Sequence, residues 1–425
     1  MNRQVASAIA LIVAAIFPHF VLFNINNFEV SLGLFGGLVF MALVIRVLPL
    51  VPLSLALGAL FLLVGPPALL SRDLDTTRFL QTTALMILSV ATVTIGATAR
   101  LRREAIISRP VMRAARASLY TISLLSVVQV VTGLKGIDFF FNPFRGYQYL
   151  HPYDPRLGMV TVPRAEGFYL EPSYDAFMIG ALAVVIVCVS GWSVPVVAAA
   201  FAGMLASQSV TGFLVAGVMI CLLVIRARPV IVLGMVALVA VAWVTVGSYL
   251  IDRLSTIGQV GTSANYRLLA PLPAIGDILS QGIWGDPPGS IEQVLSRYGL
   301  QMAGVQATSL DNGYYVLPFY FGWFGMVALV VLCWWAIATV IRAPKGSRSW
   351  IVPVWIVGSL GFSGGIVAPE FAFMTLLAVV AFRVAREKED ENGSEAERDR
   401  GHLQRPPRPR TDASITRAAP GRRFV

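Results

Sequence analysis

The sequence predicts an all-α fold, a polytopic bundle of membrane-spanning helices with two long external loops, and three observations carry that prediction. The first is composition: of 425 residues, 56% are hydrophobic and 13% charged, where soluble globular proteins are about one-quarter charged. The second is segment length, because several apolar stretches reach the roughly 20 residues that a helix needs to cross hydrocarbon. The third is the placement of arginine-rich loops between those stretches, which follows the positive-inside rule.

Taken in order, the apolar segments run approximately over 5–23, 28–45, 47–70, 79–98, 117–134, 174–190, 193–207, 210–225, 229–250, 314–341, 350–367 and 370–383. They make about twelve spans; the pair around 193–225 is short enough to be two broken or partly inserted helices. The first segment follows Arg3 without a small-residue cleavage site, so it reads as a retained span and not a cleaved signal.

Basic loops set the orientation. RLRREAIISRPVMRAAR, from Arg100 to Arg116, holds six arginines and one acid, and Arg226, Arg228 and RAPKGSR (Arg342 to Arg348) mark the same side. Four and then two spans separate these markers, so one cytoplasmic face accommodates all of them and both termini. The loops at about 135–173 and 251–313 then fall outside. Before the tail, every Asp and Glu except Glu104 also falls outside. The membrane domain is expected over 1–385. From Arg386 to Val425 the chain turns charged and Pro-containing without apolar periodicity, which predicts a disordered cytoplasmic tail.

Basic loops and tail account for the net charge of +10, and no nucleic-acid-binding motif accompanies them, which excludes nucleic acid as a partner. Cys188, Cys221 and Cys333 lie in apolar stretches without pairing or metal-ligand spacing. No internal repeat supports an inverted-repeat transporter.

Chemistry concentrates in four short stretches. VPRAEGFYLEPSYDAFMIG, from Val162, gathers Arg164, Glu166, Glu171 and Asp175 at the mouth of an apolar helix. Glu171-Pro172-Ser173 reads as a helix start, so Glu171 is either cap or functional acid. Arg164 offers the planar donor fork that suits phosphate, with a salt bridge inside its loop as the plainer alternative. In SANYRLLAPLPAI, Arg267 precedes a helix-like apolar run and either snorkels at the interface or enters a cavity. DNGYYVLPFYFGWFG opens the longest span, where Asp311 and Asn312 read as N-caps or as a carboxylate facing a lipid-borne substrate. SQSVTGFL, with Ser209, breaks apolar sequence either as a tight turn or as a loop lining a buried cavity. Tyr266 beside Arg267, and His151 in the first long loop, are further candidate contacts. Asp73 and Asp75 form a weak Asp-x-Asp pattern that a solvated loop explains, and His19, His151 and His402 are too scattered to make a metal or catalytic set.

RAEGFYLEPSYDAF, SQSVTGFL, NYRLLAPL and DNGYYVLPFYFGWFG, in this order, resemble the O-antigen polymerase and O-antigen ligase superfamily, in the manner of exopolysaccharide polymerases. The resemblance spans roughly 160–330. It implies a C-type glycosyltransferase fold and transfer of a sugar chain from an undecaprenyl-pyrophosphate carrier at the outer face of a bacterial inner membrane. It matches Arg164 and Arg267 to pyrophosphate-gripping arginines and makes Asp311 and Glu171 the candidate catalytic carboxylates, with Glu166, Tyr266, Asn312, Ser209 and His151 as substrate contacts.

The implied reaction is metal-independent and inverting, needs no cofactor, and uses carrier-linked donor and acceptor in the bilayer. A flippase and a chain-length regulator are the expected protein partners. Asp311 stands where ligases of the superfamily have His, which favours a polymerase over a ligase that transfers finished polymer to lipid A core. Val210 stands where members often carry Arg, so that cation is either missing or supplied by Arg145, Arg156 or Arg164. A transporter of the same lipid-linked sugars fits less well, because the ionisable residues crowd the loops and not the bilayer midplane.

Overall fold

A computed structural model describes residues 2–137, 165–209 and 255–403, with gaps at 26–27, 72–73, 103–105, 170, 261, 303–304, 308, 345–346 and 362–363, together with residues 212, 215, 217 and 251. Most of the first long external loop and nearly all of 210–250 therefore lie outside the described residues, as do Arg164 and His151. The chain divides into two units, Met1–Ala385 and Arg386–Val425.

The fold is an all-α polytopic membrane protein. Its helices are α1 (Arg3–Ile16), α2 (Leu32–Val44), α3 (Leu50–Leu70), α4 (Thr76–Thr98), α5 (Arg109–Gly133), α6 (Pro172–Ser190), α7 (Val194–Ser207), α8 (Ser263–Leu268), α9 (Leu272–Gln281), α10 (Ile291–Arg297), α11 (Gly313–Arg342), α12 (Ile351–Ser359) and α13 (Pro369–Leu403). Three antiparallel two-stranded ladders pair β1 (Val21–Ile25) with β2 (Phe28–Ser31), β3 (Ile45–Val47) with β4 (Arg100–Leu101), and β5 (Gln301–Met302) with β6 (Val305–Gln306). Among the described residues, α3, α4, α5, α6 and α11 are long and apolar enough to cross a membrane.

Caps fix many of the boundaries. Ser31, Asp75, Ser108 and Asn312 each accept a backbone N–H in the first turn of α2, α4, α5 and α11, satisfying donors that a helix start otherwise leaves orphaned. Ser108, with Pro110 in the first turn, starts α5 eight residues before the apolar run expected from 117.

Three segments differ from expectation. The first apolar run is not one span: α1 stops at Ile16, because Pro18 disfavours helix in the residue before it, and the chain turns into the β1–β2 hairpin. The run at 350–367 carries only the nine residues of α12 before glycines and a short turn at Gly365–Val367. Beyond Arg386, where irregular chain is expected, helix continues to Leu403; Glu, Lys, Arg and Ala dominate that stretch and all favour helix.

The span that positions the site is α6. It is apolar almost all round and is the most enclosed of the five long helices, as a central span should be. It packs against α5, α7 and α12, with Phe177 and Trp355 ring centroids 5.3 Å apart.

Helix α11 is interrupted at Gly322 (φ 55°, ψ −131°), a backbone state that only glycine adopts without strain. The break is patched by the long connection before α11: Asp286 N–H donates to the Phe319 carbonyl (2.7 Å), and Trp323 N–H to that of Ile283 (3.1 Å). That loop, expected only as a long connection with one helix-like run, contains α8, α9, α10 and the β5–β6 ladder.

Candidate functional site

Three of the four stretches singled out in the sequence converge. Arg267, in the last turn of α8, directs its Nη2 to the Glu171 carboxylate in a tight ion pair and lies 3.6 Å from Asp311 Oδ2. The three side chains are 18%, 34% and 21% exposed, so the cluster is largely withdrawn from water yet open on one side.

Local structure explains why each carboxylate is available. Glu171 occupies the N-cap position of α6, and its carbonyl accepts the N–H groups of Tyr174 (3.1 Å) and Asp175 (3.3 Å). Its side chain makes no capping bond; it takes Arg267 and the Ser173 hydroxyl (3.0 Å) instead. At the start of α11 the cap is Asn312, whose Oδ1 accepts Tyr314 N–H (3.0 Å) while its Nδ2 donates to the Arg267 carbonyl (2.8 Å). Asp311 is thereby relieved of the capping role, and its carboxylate accepts from the Ser309 hydroxyl (3.2 Å). Tyr266 donates its hydroxyl to the Ser309 carbonyl and Tyr315 to that of Leu268, tying α8 to the connection before α11 and to α11 itself.

Burial and charge pull against each other across the cluster. Burial pushes the Asp311 carboxyl above the usual carboxylate range, and the pull of Arg267 in the other direction does not cancel it. Burial works against the charge on Arg267, but Glu171 and Asp311 overcome it and raise the guanidinium further. Tyr266 is raised by burial and then by Asp311. The Nε–H of Arg267 is buried and makes no hydrogen bond among the described residues. An orphaned, charge-assisted donor of this kind is a natural seat for an oxyanion.

Other candidates are placed differently. Glu166 is buried at 6% exposure, inside a turn and not on an open surface. Ser209 is also buried, and its hydroxyl accepts Gly212 N–H (3.3 Å), as in a tight turn. Arg164 and His151 lie outside the described residues, as does Asp73. Asp75 caps α4 and pairs with Arg78 (3.7 Å). Among the described residues no three His, Cys, Asp or Glu side chains stand together as metal ligands.

Sequence reasoning passed over several groups the structure brings in. Ser173 and Ser309 each serve a carboxylate two residues away, a spacing visible in EPS and SLD but not decisive alone. His19 packs against Tyr174 at a tilted angle of 57°, ring centroids 4.8 Å apart. Gln129 and Ser126 sit inside apolar α5; Gln129 reaches the turn before Glu171, and Ser126 reaches Asp175 in the first turn of α6. Their signal was there, since a polar residue within a span is costly unless it has work to do.

The profile of the WcaD colanic acid polymerase family matches residues 6–384. A protein of Escherichia coli (strain K12), provisionally named a colanic acid polymerase, is 30% identical over 128 residues, covering 30% of this chain and 32% of the relative. The aligned part thus spans about a third of that relative's length.

Proposed function

The chain belongs to the WcaD colanic acid polymerase family, and we propose that it joins undecaprenyl-pyrophosphate-linked oligosaccharide repeat units into exopolysaccharide at the outer face of a bacterial inner membrane. The observation that carries this reading is the meeting of Glu171, Arg267 and Asp311 from three distant stretches. A transfer between two lipid-borne substrates needs a cation for the leaving pyrophosphate and a base for the attacking hydroxyl, and both stand in this one cluster.

In the proposed step, a hydroxyl of the acceptor repeat unit attacks the anomeric carbon of the donor chain. The new glycosidic C–O bond forms as the bond from that carbon to the pyrophosphate oxygen breaks, and the electron pair leaves with the pyrophosphate. The hydroxyl proton passes to a carboxylate, and single displacement inverts the anomeric centre. Asp311 is assigned as the base, because burial raises its affinity for protons above that of an ordinary carboxylate. Glu171, in tight contact with Arg267, holds the guanidinium in place. The unused Nε–H of Arg267, joined by Arg164, stabilises charge growing on the leaving group. No metal is assigned a role. A flippase that delivers substrate and a regulator of chain length are the proposed partners, and both termini are assigned to the cytoplasm.

The test is reconstitution of the purified protein with carrier-linked repeat units. New glycosidic bonds and lengthening carrier-linked chains are expected from the wild type and are absent from Asp311→Asn. Scrambling of the lipid without bond formation would overturn the reading.

A further inference from the structure

The turn before Glu171 is held from beneath by a span that no catalytic motif includes. Gln129, in the last two turns of α5, makes three hydrogen bonds to two consecutive residues. Its Oε1 accepts the N–H groups of Glu166 (3.1 Å) and Gly167 (2.9 Å), and its Nε2 donates to the Gly167 carbonyl (3.2 Å). The side chain therefore pairs with the turn as another strand would, satisfying groups that are costly to bury alone.

Gly167 has φ 61°, and a Cβ there would lie 2.7 Å from Asp175 Oδ1. Asp175, fully buried one turn into α6, is fixed in turn by the Ser126 hydroxyl (2.8 Å) from the same face of α5. Two further anchors hold the segment: Ala165 N–H donates to the Ala206 carbonyl at the end of α7 (3.0 Å), and the Tyr169 hydroxyl to that of Ala15 in α1 (2.7 Å). The short connection from Ala165 to Tyr169 is thus tied to three helices, and Glu171 follows two residues later.

We propose that Gln129 is a positioning residue for the transfer reaction: its three-bond clamp on Glu166–Gly167 sets where Glu171 meets Arg267. A packing role alone does not require this chemistry. An apolar side chain of equal length would fill the space, whereas only an amide both accepts two N–H groups and donates to the carbonyl that follows them. The RAEG and EPSYD halves of the motif then have one explanation. Gly167 leaves room for Asp175, and the amide from α5 locks the turn that the two halves enclose.

The inference rests on the polymerase reading, and the experiment keeps the two separate. Gln129→Met retains the volume and removes all three bonds; Ser118→Ala, about three turns back on α5 and away from the turn, is the control for loosened packing. Purified proteins are compared for thermal stability, for kcat and KM with the carrier-linked donor, and for amide hydrogen exchange across 165–175. Displacing a catalytic group by about 1 Å lowers rate on the order of 100-fold. A fall of that size in kcat per folded Gln129→Met molecule, with KM unchanged and exchange at Glu166 and Gly167 accelerated, is the expected result.

Wild-type kcat in the folded variant, or activity lost only in proportion to folded protein, would overturn the positioning role. Unchanged exchange at Glu166 and Gly167 would overturn the clamp itself, and that arm reads out whether or not the wild type makes glycosidic bonds.

Discussion

Two clusters in this molecule share one formula, an arginine between two carboxylates, and differ in what surrounds them. Arg78 pairs with Asp75 (3.7 Å) and with Glu292 (2.6 Å), and the side chains are 38% to 40% exposed. Arg267 pairs with Glu171 and Asp311, and its side chain is 18% exposed. In the first cluster every group has structural work: Asp75 caps α4, and Arg78 links α4 to α10. In the second, capping has been handed to Asn312 and to the backbone of Glu171, and one guanidinium N–H is left without a partner among the described residues. Burial, not charge composition, distinguishes the second cluster, because electrostatic terms grow as water withdraws. Exposed ion pairs are worth little by comparison.

That contrast breaks most sharply at the arginines and acids themselves. Arg267→Ala leaves Glu171 and Asp311 facing each other without their cation, and removing one partner of a buried pair costs about 3–5 kcal/mol. Polymer formation in reconstituted vesicles is expected to disappear. Arg267→Lys keeps the charge but loses the planar fork, so it should rescue insertion and stability better than turnover. Asp311→Asn removes the base and should lower kcat by roughly 100- to 10,000-fold, with stability by thermal melting little changed or improved.

The pH dependence sharpens the same point. A base acts only when deprotonated, so turnover should fall as pH drops through a value above the usual carboxylate range, where burial has moved Asp311. Stability linked to this group runs the opposite way. A folded-state affinity for protons that exceeds the unfolded one favours the fold at low pH, and that gain is lost as pH rises through the folded value. Activity lost on acidification while the melting temperature holds would therefore identify titration in the site. Loss of both together would count against Asp311 as the base.

Next in size is the break in α11 that seats the loop carrying Arg267. A Cβ on Gly322 would lie 2.6 Å from the Trp284 carbonyl carbon, at a φ of 55°. Gly322→Ala should cost about 1–3 kcal/mol through overpacking, read as a lower melting temperature.

Much of this was legible in the residues. The apolar runs located the spans but not their starts at Ser31 and Ser108, which tertiary context revealed, while Arg267, Glu171 and Asp311 stood out because charge is scarce in an apolar chain. What the sequence did not disclose were pairings across distance. Arg267 and Glu171 are 96 residues apart, and nothing local says which carboxylate a guanidinium will meet. Whether Glu171 was cap or acid also depended on tertiary structure, since its backbone does cap α6 while its side chain does not. Gln129 was passed over because apolar periodicity describes a span by its average and hides a single polar contact. The break at Gly322 was likewise unreadable, for its cause is a loop nearly forty residues away.

The smallest predicted effect is the one that most cleanly separates the two clusters. Arg78→Ala and Glu292→Ala, singly and together, form a double-mutant cycle on the exposed pair. Measured by thermal or denaturant unfolding, the coupling should be about 0.2–1 kcal/mol and should shrink as salt is raised, since solvent-exposed charges are screened. Turnover by each variant should match wild type, because neither side chain reaches the Arg267 cluster. A large loss of turnover in Arg78→Ala would mean that the exposed cluster governs the buried one through α10 and the second external loop, and burial alone would no longer explain the difference between them.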